Sequence, residues 1–261
     1  MKDKRFVYYA RTYRHLKIDK KKCFLYFALL VLPCLIGFLF WIQEITGSMT
    51  KLGIYILEQI YPDRIFFSVS EELSVFGKVE YIQMPTVLPG FPMIFVNLVI
   101  MILSAAVLST GKRKGKPLSI YVLFSVVIHL INCIYFFFAA EYFPYSASDY
   151  SELYIKQQIG IWLTFIVLSG LVTGFLGNRA YFAKTMAFLG IICYSFVFGI
   201  VRYVVFLVIL QEFSILYMAV LFFVLGPMFD FVYLVAIYSV LINKMVKVYD
   251  SGDGREEWEW S

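Results

Sequence analysis

Charge is scarce in this sequence, and so is everything that usually marks an active site. Charged side chains make up 16% of the 261 residues and apolar ones 61%, whereas a soluble domain carries about 25% charged residues. That shortage excludes a water-soluble globular chain. The four cysteines, Cys23, Cys34, Cys133 and Cys193, include no CxxC pair, so neither a zinc site nor a disulfide framework is supported. No Walker A, HExxH, GxSxG or DxD signature occurs. No metal, cofactor or nucleic-acid partner is therefore expected. A cleavable signal peptide is not expected either, because a basic segment of 22 residues precedes the first apolar run and no small-residue cleavage site follows it.

What the chain does have is long apolar runs. A membrane-spanning helix needs about 20 mostly apolar residues, and six stretches qualify: Phe24–Ile42, Phe91–Thr110, Leu118–Ala140, Gln157–Leu176, Thr185–Leu210 and a last one within Phe213–Asn243. The last run is too long for one straight span, so Ser214–Leu225 is a candidate re-entrant or interfacial piece. Basic residues distribute unevenly between the loops. Eighteen of the 23 Lys and Arg fall on one side: at the N-terminus, in GKRKGK after the second run, at Arg179 and Lys184, and in the tail. Cytoplasmic loops collect Lys and Arg. The expected fold is an all-α polytopic membrane protein of six spans with both termini cytoplasmic, in a plasma (inner) membrane. Residues 1–22 form a basic segment that meets membrane lipids, with Phe6, Tyr8, Tyr9 and Tyr13 suited to an interfacial helix; residues 23–249 form the membrane domain, and residues 250–261 an acidic tail.

The longest connection, 43–90, reads as an extracytoplasmic insertion. Met49, Leu52, Ile56 and Ile60 share a helical face and suggest a helix lying on the outer leaflet. Arg64–Ser70 and Lys78–Met84 are β-rich and flank Glu71–Gly77, the pattern of a β-hairpin. A second outer loop, Glu141–Lys156, is rich in Tyr, Ser and acid. It reads as solvated, or as a surface that stacks a sugar-like ligand on tyrosine. The tail ends in REEWEWS, read as disordered or as a dock for a partner.

Ionisable groups within spans are costly, about 2.5–3.5 kcal/mol on insertion scales, and usually pair or serve function. Arg202 in the fifth run and Asp230 in the sixth are expected at matching depth as an ion pair. In the third run, His129 and Cys133 lie four residues apart on one helical face, the spacing of a candidate thiolate–imidazole pair, although buried His and Cys are also ordinary packing residues. In the fourth run, Gly170 and Gly174 form a small-xxx-small face for close helix packing.

The order of hairpin, span, basic loop GKRKGK and further spans resembles the exosortase/archaeosortase membrane proteins. That family carries a Cys-Ser/Thr-Gly motif entering one span, an Arg ending the next, and a His near the start of a third. One placement of the resemblance puts Gln83-Met84-Pro85-Thr86 at the Cys motif, His129-Leu130-Ile131-Asn132 at the Arg and Lys156-Gln157-Gln158 near the His. A second puts Gln158-Ile159-Gly160 at the Cys motif, Arg202 at the Arg and Gly226 at the His. Neither has a cysteine nucleophile. The resemblance implies a non-catalytic relative: an accessory or scaffold subunit in cell-envelope biogenesis, acting on surface polysaccharide or surface protein, with a membrane protein such as a glycosyltransferase as partner. A transporter or lipid-handling protein built on Arg202 and Asp230, and an active membrane enzyme, are the alternatives.

Overall fold

The computed structural model of the chain describes residues 14–16, 19–73, 77–110, 116–175, 181–250 and 258–260. Phe6, Tyr8, Tyr9 and Tyr13, the loop holding Lys112, Arg113 and Lys114, Arg179, and the stretch 251–257 lie outside the described residues.

Six helices are long and apolar enough to cross a membrane: Lys20–Phe40 (α1), Phe91–Thr110 (α3), Pro117–Tyr142 with its main part Pro117–Ala139 (α4), Ala147–Phe175 (α5), Tyr181–Phe213 (α6) and Ile215–Lys247. The last begins in irregular turns and continues as α7, Gly226–Asp250. A helix satisfies its backbone within the segment, which is what a lipid environment demands. Among the described residues the other main elements are Ile42–Ile60 (α2) and two small two-stranded sheets. One sheet pairs Arg14–Leu16 (β1) with Trp258–Trp260 (β4), so the Trp-Glu-Trp stretch of the tail is a strand.

Two helices change pitch for the same reason. Phe27–Val31 and Leu221–Leu225 are π-turns, and each ends two residues before a proline, Pro33 or Pro227. Proline removes a helical N–H and clashes with the carbonyl four residues back. In both cases that carbonyl, on Leu29 or Phe223, lies within the wider turn.

The chain divides into two compact units. The first comprises 1–40, 160–196 and 232–261. Its core is Val31, Ile166 and Phe188, with Tyr26, Phe27 and Leu35 packed around them. Gly170 and Gly174 of α5 face α1. A Cβ at Gly170 would overlap both methyls of Val31, while one at Gly174 would rest 3.4 Å from Tyr26. The close approach lets Cys23 Sγ donate to the Gly174 carbonyl (3.1 Å) and Tyr26 hydroxyl share a hydrogen with Thr173 Oγ1 (3.1 Å). The small-residue face is thus occupied by this chain's own first span.

The second unit comprises 41–159 and 197–231. In it Phe67–Leu73 (β2) and Gly77–Gln83 (β3) form the hairpin, in register Phe67 to Gln83 through Leu73 to Gly77. Gly77 has φ +77° where the chain re-enters the ladder, a conformation that suits glycine. Helix α2 packs on β3 through Ile42, Thr46, Met49, Gly53 and Leu57, a regular helical face. The helix starts at Ile42, and of the residues expected on an outer-leaflet face Met49 is buried while Leu52 and Ile60 are exposed. The packed face was chosen by size. Gly47 and Gly53 admit the Glu80 and Ile82 side chains, and Thr50 Oγ1 donates to the Glu80 carbonyl at 3.0 Å.

One further expectation changes, and the segment Ser214–Leu225 gains detail. The segment 141–156 is mostly helix, because α5 begins at Ala147, and Tyr150 and Tyr154 are core residues with no surface to stack a ligand. Ser214–Leu225 is a set of short helical turns leading directly into α7. The break before it falls on Ser214, at φ 89° and ψ 170°, a region costing about 1–3 kcal/mol for a residue with a side chain. Ile215 N–H donating to the Val87 carbonyl at 3.0 Å holds the break in place.

Candidate functional site

The second unit buries one arginine, and its surroundings are built from three helices. On α5, positions 150, 154 and 158 recur every four residues and place Tyr150, Tyr154 and Gln158 on one face. On α6, Gly199 and Arg202 lie one turn apart. At the start of α7, Gly226 and Asp230 do the same. Gly199 is needed for the approach: a Cβ there would stand 2.9 Å from Gln158 Nε2.

Arg202 is 3% exposed and is almost fully satisfied by this chain. Its Nη1 donates to Asp230 Oδ2 and to the Gly226 carbonyl, each at 2.7 Å; Nη2 donates to Gln158 Oε1 at 2.7 Å; Nε donates to the Tyr154 hydroxyl at 2.8 Å. Four of the five guanidinium N–H groups are thus used, with a charged partner on one side. The Tyr154 hydroxyl itself donates to the Gly199 carbonyl at 2.9 Å. Tyr203 stacks on the Tyr154 ring at 5.0 Å, and its hydroxyl meets Ser151 Oγ at 2.5 Å and accepts the Ile82 N–H of β3 at 3.0 Å. A continuous path of contacts, hydrogen bonds at both ends and the Tyr154–Tyr203 ring stack between them, therefore runs from the ion pair to the hairpin. Tyr154→Phe would remove an acceptor from Arg202 and a donor from Gly199, and is expected to lower stability by about 2 kcal/mol, read as a fall in melting temperature in detergent.

Position 202 and position 230 were legible as a pair because each is an ion in an apolar run. Gln158, Tyr154 and Gly226 carry no such signal. Gln158 and Gly226 appeared only as positions equated with another family's motif.

The second polar cluster sits where the turns after Ser214 meet α3 and α4. His129 Nε2 lies 3.3 Å from Asn97 Oδ1, which also accepts from the Tyr217 hydroxyl at 2.8 Å; the His129 and Tyr217 rings stack at 4.8 Å. Asn132 Nδ2 donates to the Leu216 carbonyl. His129 Nδ1 has no hydrogen-bond partner among the described residues. Cys133 is buried and a free thiol, but the imidazole nitrogen that is bonded faces Asn97. The geometry is that of a packed polar seam between helices, with no base held on the thiol.

At the hairpin end, Tyr61 donates to Glu212 at 2.7 Å beneath Arg64. Partial burial and that hydrogen bond push its phenol up to about 12. Burial and the carboxylates of Glu152, Glu71 and Asp149 also raise the Tyr81 phenol. Both stay neutral around pH 7. Among the described residues no three His, Cys, Asp or Glu side chains gather into a metal-binding group.

No family model matches the chain, and no curated protein or solved structure shows significant similarity to it.

Proposed function

We propose that this protein is a non-catalytic accessory or scaffold subunit of a membrane assembly, with a degenerate exosortase-like site and a place in cell-envelope biogenesis. One observation carries the reading. The three positions that the second placement equates with the family's Cys, Arg and His are 158, 202 and 226, and these three converge: Arg202 reaches Gln158 Oε1 and the Gly226 carbonyl at 2.7 Å each. The arginine is kept, an amide stands at the nucleophile position, and a glycine stands at the histidine position. A site that retains its arginine without nucleophile or base has no acyl-transfer chemistry to perform. Its remaining work is structural, tying three helices to the hairpin.

The surface offered to a partner is the hairpin, where Ile65 and Phe67 are 77% and 62% exposed. Solubilisation from native membranes in mild detergent is the test. The chain is expected to migrate with a membrane protein partner, and Ile65→Asp/Phe67→Asp is expected to cut the co-purified partner about ten-fold while the chain stays monodisperse. A chain that always runs as a partner-free monomer contradicts the proposal.

A carrier or lipid-handling role for the same ion pair has one observation in its favour. Tyr150 Oη and Gln158 Nε2, on the helical face that holds Arg202, are buried without hydrogen-bond partners among the described residues. That reading requires water or substrate to reach them, and is supported by flux in proteoliposomes that Arg202→Lys abolishes.

A further inference from the structure

Three apolar grooves of the first unit are each lined by a lysine, whereas a smaller one among α5, α6 and α7 has none. One, of about 390 Å³, runs between α1 and α5 and is lined by Phe24, Phe27, Leu171 and Phe175, with Gly174 in its floor and Lys20 at its end. A second, of about 310 Å³, lies between α1 and α6 and ends at Lys22. A third, of about 470 Å³, lies between α6 and α7 and ends at Lys244. None of the three is lined by a carboxylate. The lysines stand at the start of α1 and towards the end of α7, and the grooves also take in the start of α6 and the end of α5. An up-and-down chain brings those four ends to one face.

A groove whose walls are phenylalanine and leucine and whose single charge is a terminal ammonium has the polarity of a phospholipid read in reverse: acyl chain along the walls, phosphate on the lysine. Asp19, the neighbouring carboxylate, is the helix N-cap, accepting from the Lys21 and Lys22 N–H groups, and its second oxygen lies 3.9 Å from Lys22 Nζ. A zwitterionic headgroup would bring its own ammonium to the same place; an anionic one brings only the phosphate. We infer that the α1–α5 groove binds one anionic phospholipid, with an acyl chain against Phe24, Phe27 and Leu171 and the phosphate on Lys20. The glycines serve twice here: they let Val31 and Tyr26 approach, and the side chains they lack leave the groove open beside that contact.

Native mass spectrometry of the full-length protein in mild detergent tests this, with phosphatidylglycerol and phosphatidylcholine of identical acyl chains as probes. Phosphatidylglycerol is expected to be retained about five-fold better, the ratio that one membrane-proximal lysine supplies. Lys20→Glu, and independently Lys20→Gln, are expected to lose one retained phosphatidylglycerol. Leu171→Trp, which fills the groove from an exposed wall, is expected to lose that lipid whatever its headgroup. Unchanged circular dichroism and a monodisperse elution peak identify the variants that report on binding. Equal retention of the two lipids, or a phosphatidylglycerol count untouched by both lysine variants and by Leu171→Trp, overturns the inference. So does a detergent-stable dimer that Leu171→Trp splits, because a second copy would then be the occupant.

Discussion

Arg202→Met is expected to destabilise the protein by about 3–5 kcal/mol, the usual cost of leaving one member of a buried ion pair without its partner. Asp230→Leu is expected to cost a similar amount. Each single variant strands a charge among α5, α6 and α7 within a chain whose spans are apolar, and the result should be lost monodispersity and a sharply lower melting temperature. Arg202→Met/Asp230→Leu removes both charges, and similar replacements of buried pairs are often neutral or stabilising. Here recovery should be incomplete. Gln158 Oε1, Tyr154 Oη and the Gly226 carbonyl each lose a donor, and an unpaired buried polar group costs about 1–3 kcal/mol. The charge exchange Arg202→Asp/Asp230→Arg is a stricter version: attraction is kept, but the guanidinium can no longer reach Gln158 and Tyr154 from α7. It should restore assembly only in part. An exchange or charge-free pair no better than the single variants would show that the ionic contact contributes little.

The second large effect is at Gly170. Gly170→Ala is expected to cost at least 1–3 kcal/mol, the range for overpacking, because the new methyl would overlap both methyls of Val31, which is fully buried. Valine is stiff about χ1 and cannot swing aside within a helix. Gly174→Ala, four residues on, should be nearly neutral, since its Cβ would meet the Tyr26 ring at ordinary contact distance. The pair isolates close approach from helix propensity, because alanine is the better helix former at both positions. Val31→Ala in the Gly170→Ala background vacates the space the new methyl needs and should recover most of the loss. Thermal unfolding followed by thiol labelling at Cys23 and Cys34, in a background with Cys133→Ser and Cys193→Ser, checks all three.

The sequence made some of this visible and hid the rest for identifiable reasons. Six spans follow from run length alone, and the hairpin from two β-rich runs around Gly77. Arg202 and Asp230 stand out because an ion in an apolar run has to be accounted for. The extension of α5 back to Ala147 was hidden by Pro144 and a Ser-rich stretch that reads as loop, although Tyr150 and Tyr154 already lay on the face that continues to Gln158. On α2 hydrophobicity marks the exposed Leu52 and Ile60, whereas the packing against β3 uses small residues at 46, 47, 50 and 53, a face that apolar periodicity does not reveal. The break at Ser214 carries no glycine to announce it; tertiary contacts with Val87 impose it. Gln158 and Gly226 are residues of no marked chemistry, and only the convergence of three helices gives them a role.

A scaffold role requires Arg202 to be a fixed structural group in a dry site. Nitrogen-15 spectra of the arginine Nε–H groups of the detergent-solubilised protein address that directly, with Arg202→Lys identifying the resonance. One arginine Nε–H, hydrogen-bonded to Tyr154, is expected to persist in deuterated solvent long after those of the surface arginines have vanished. Exchange of the Arg202 Nε–H as fast as that of an exposed arginine would mean that water reaches the site, and would favour a carrier over a scaffold.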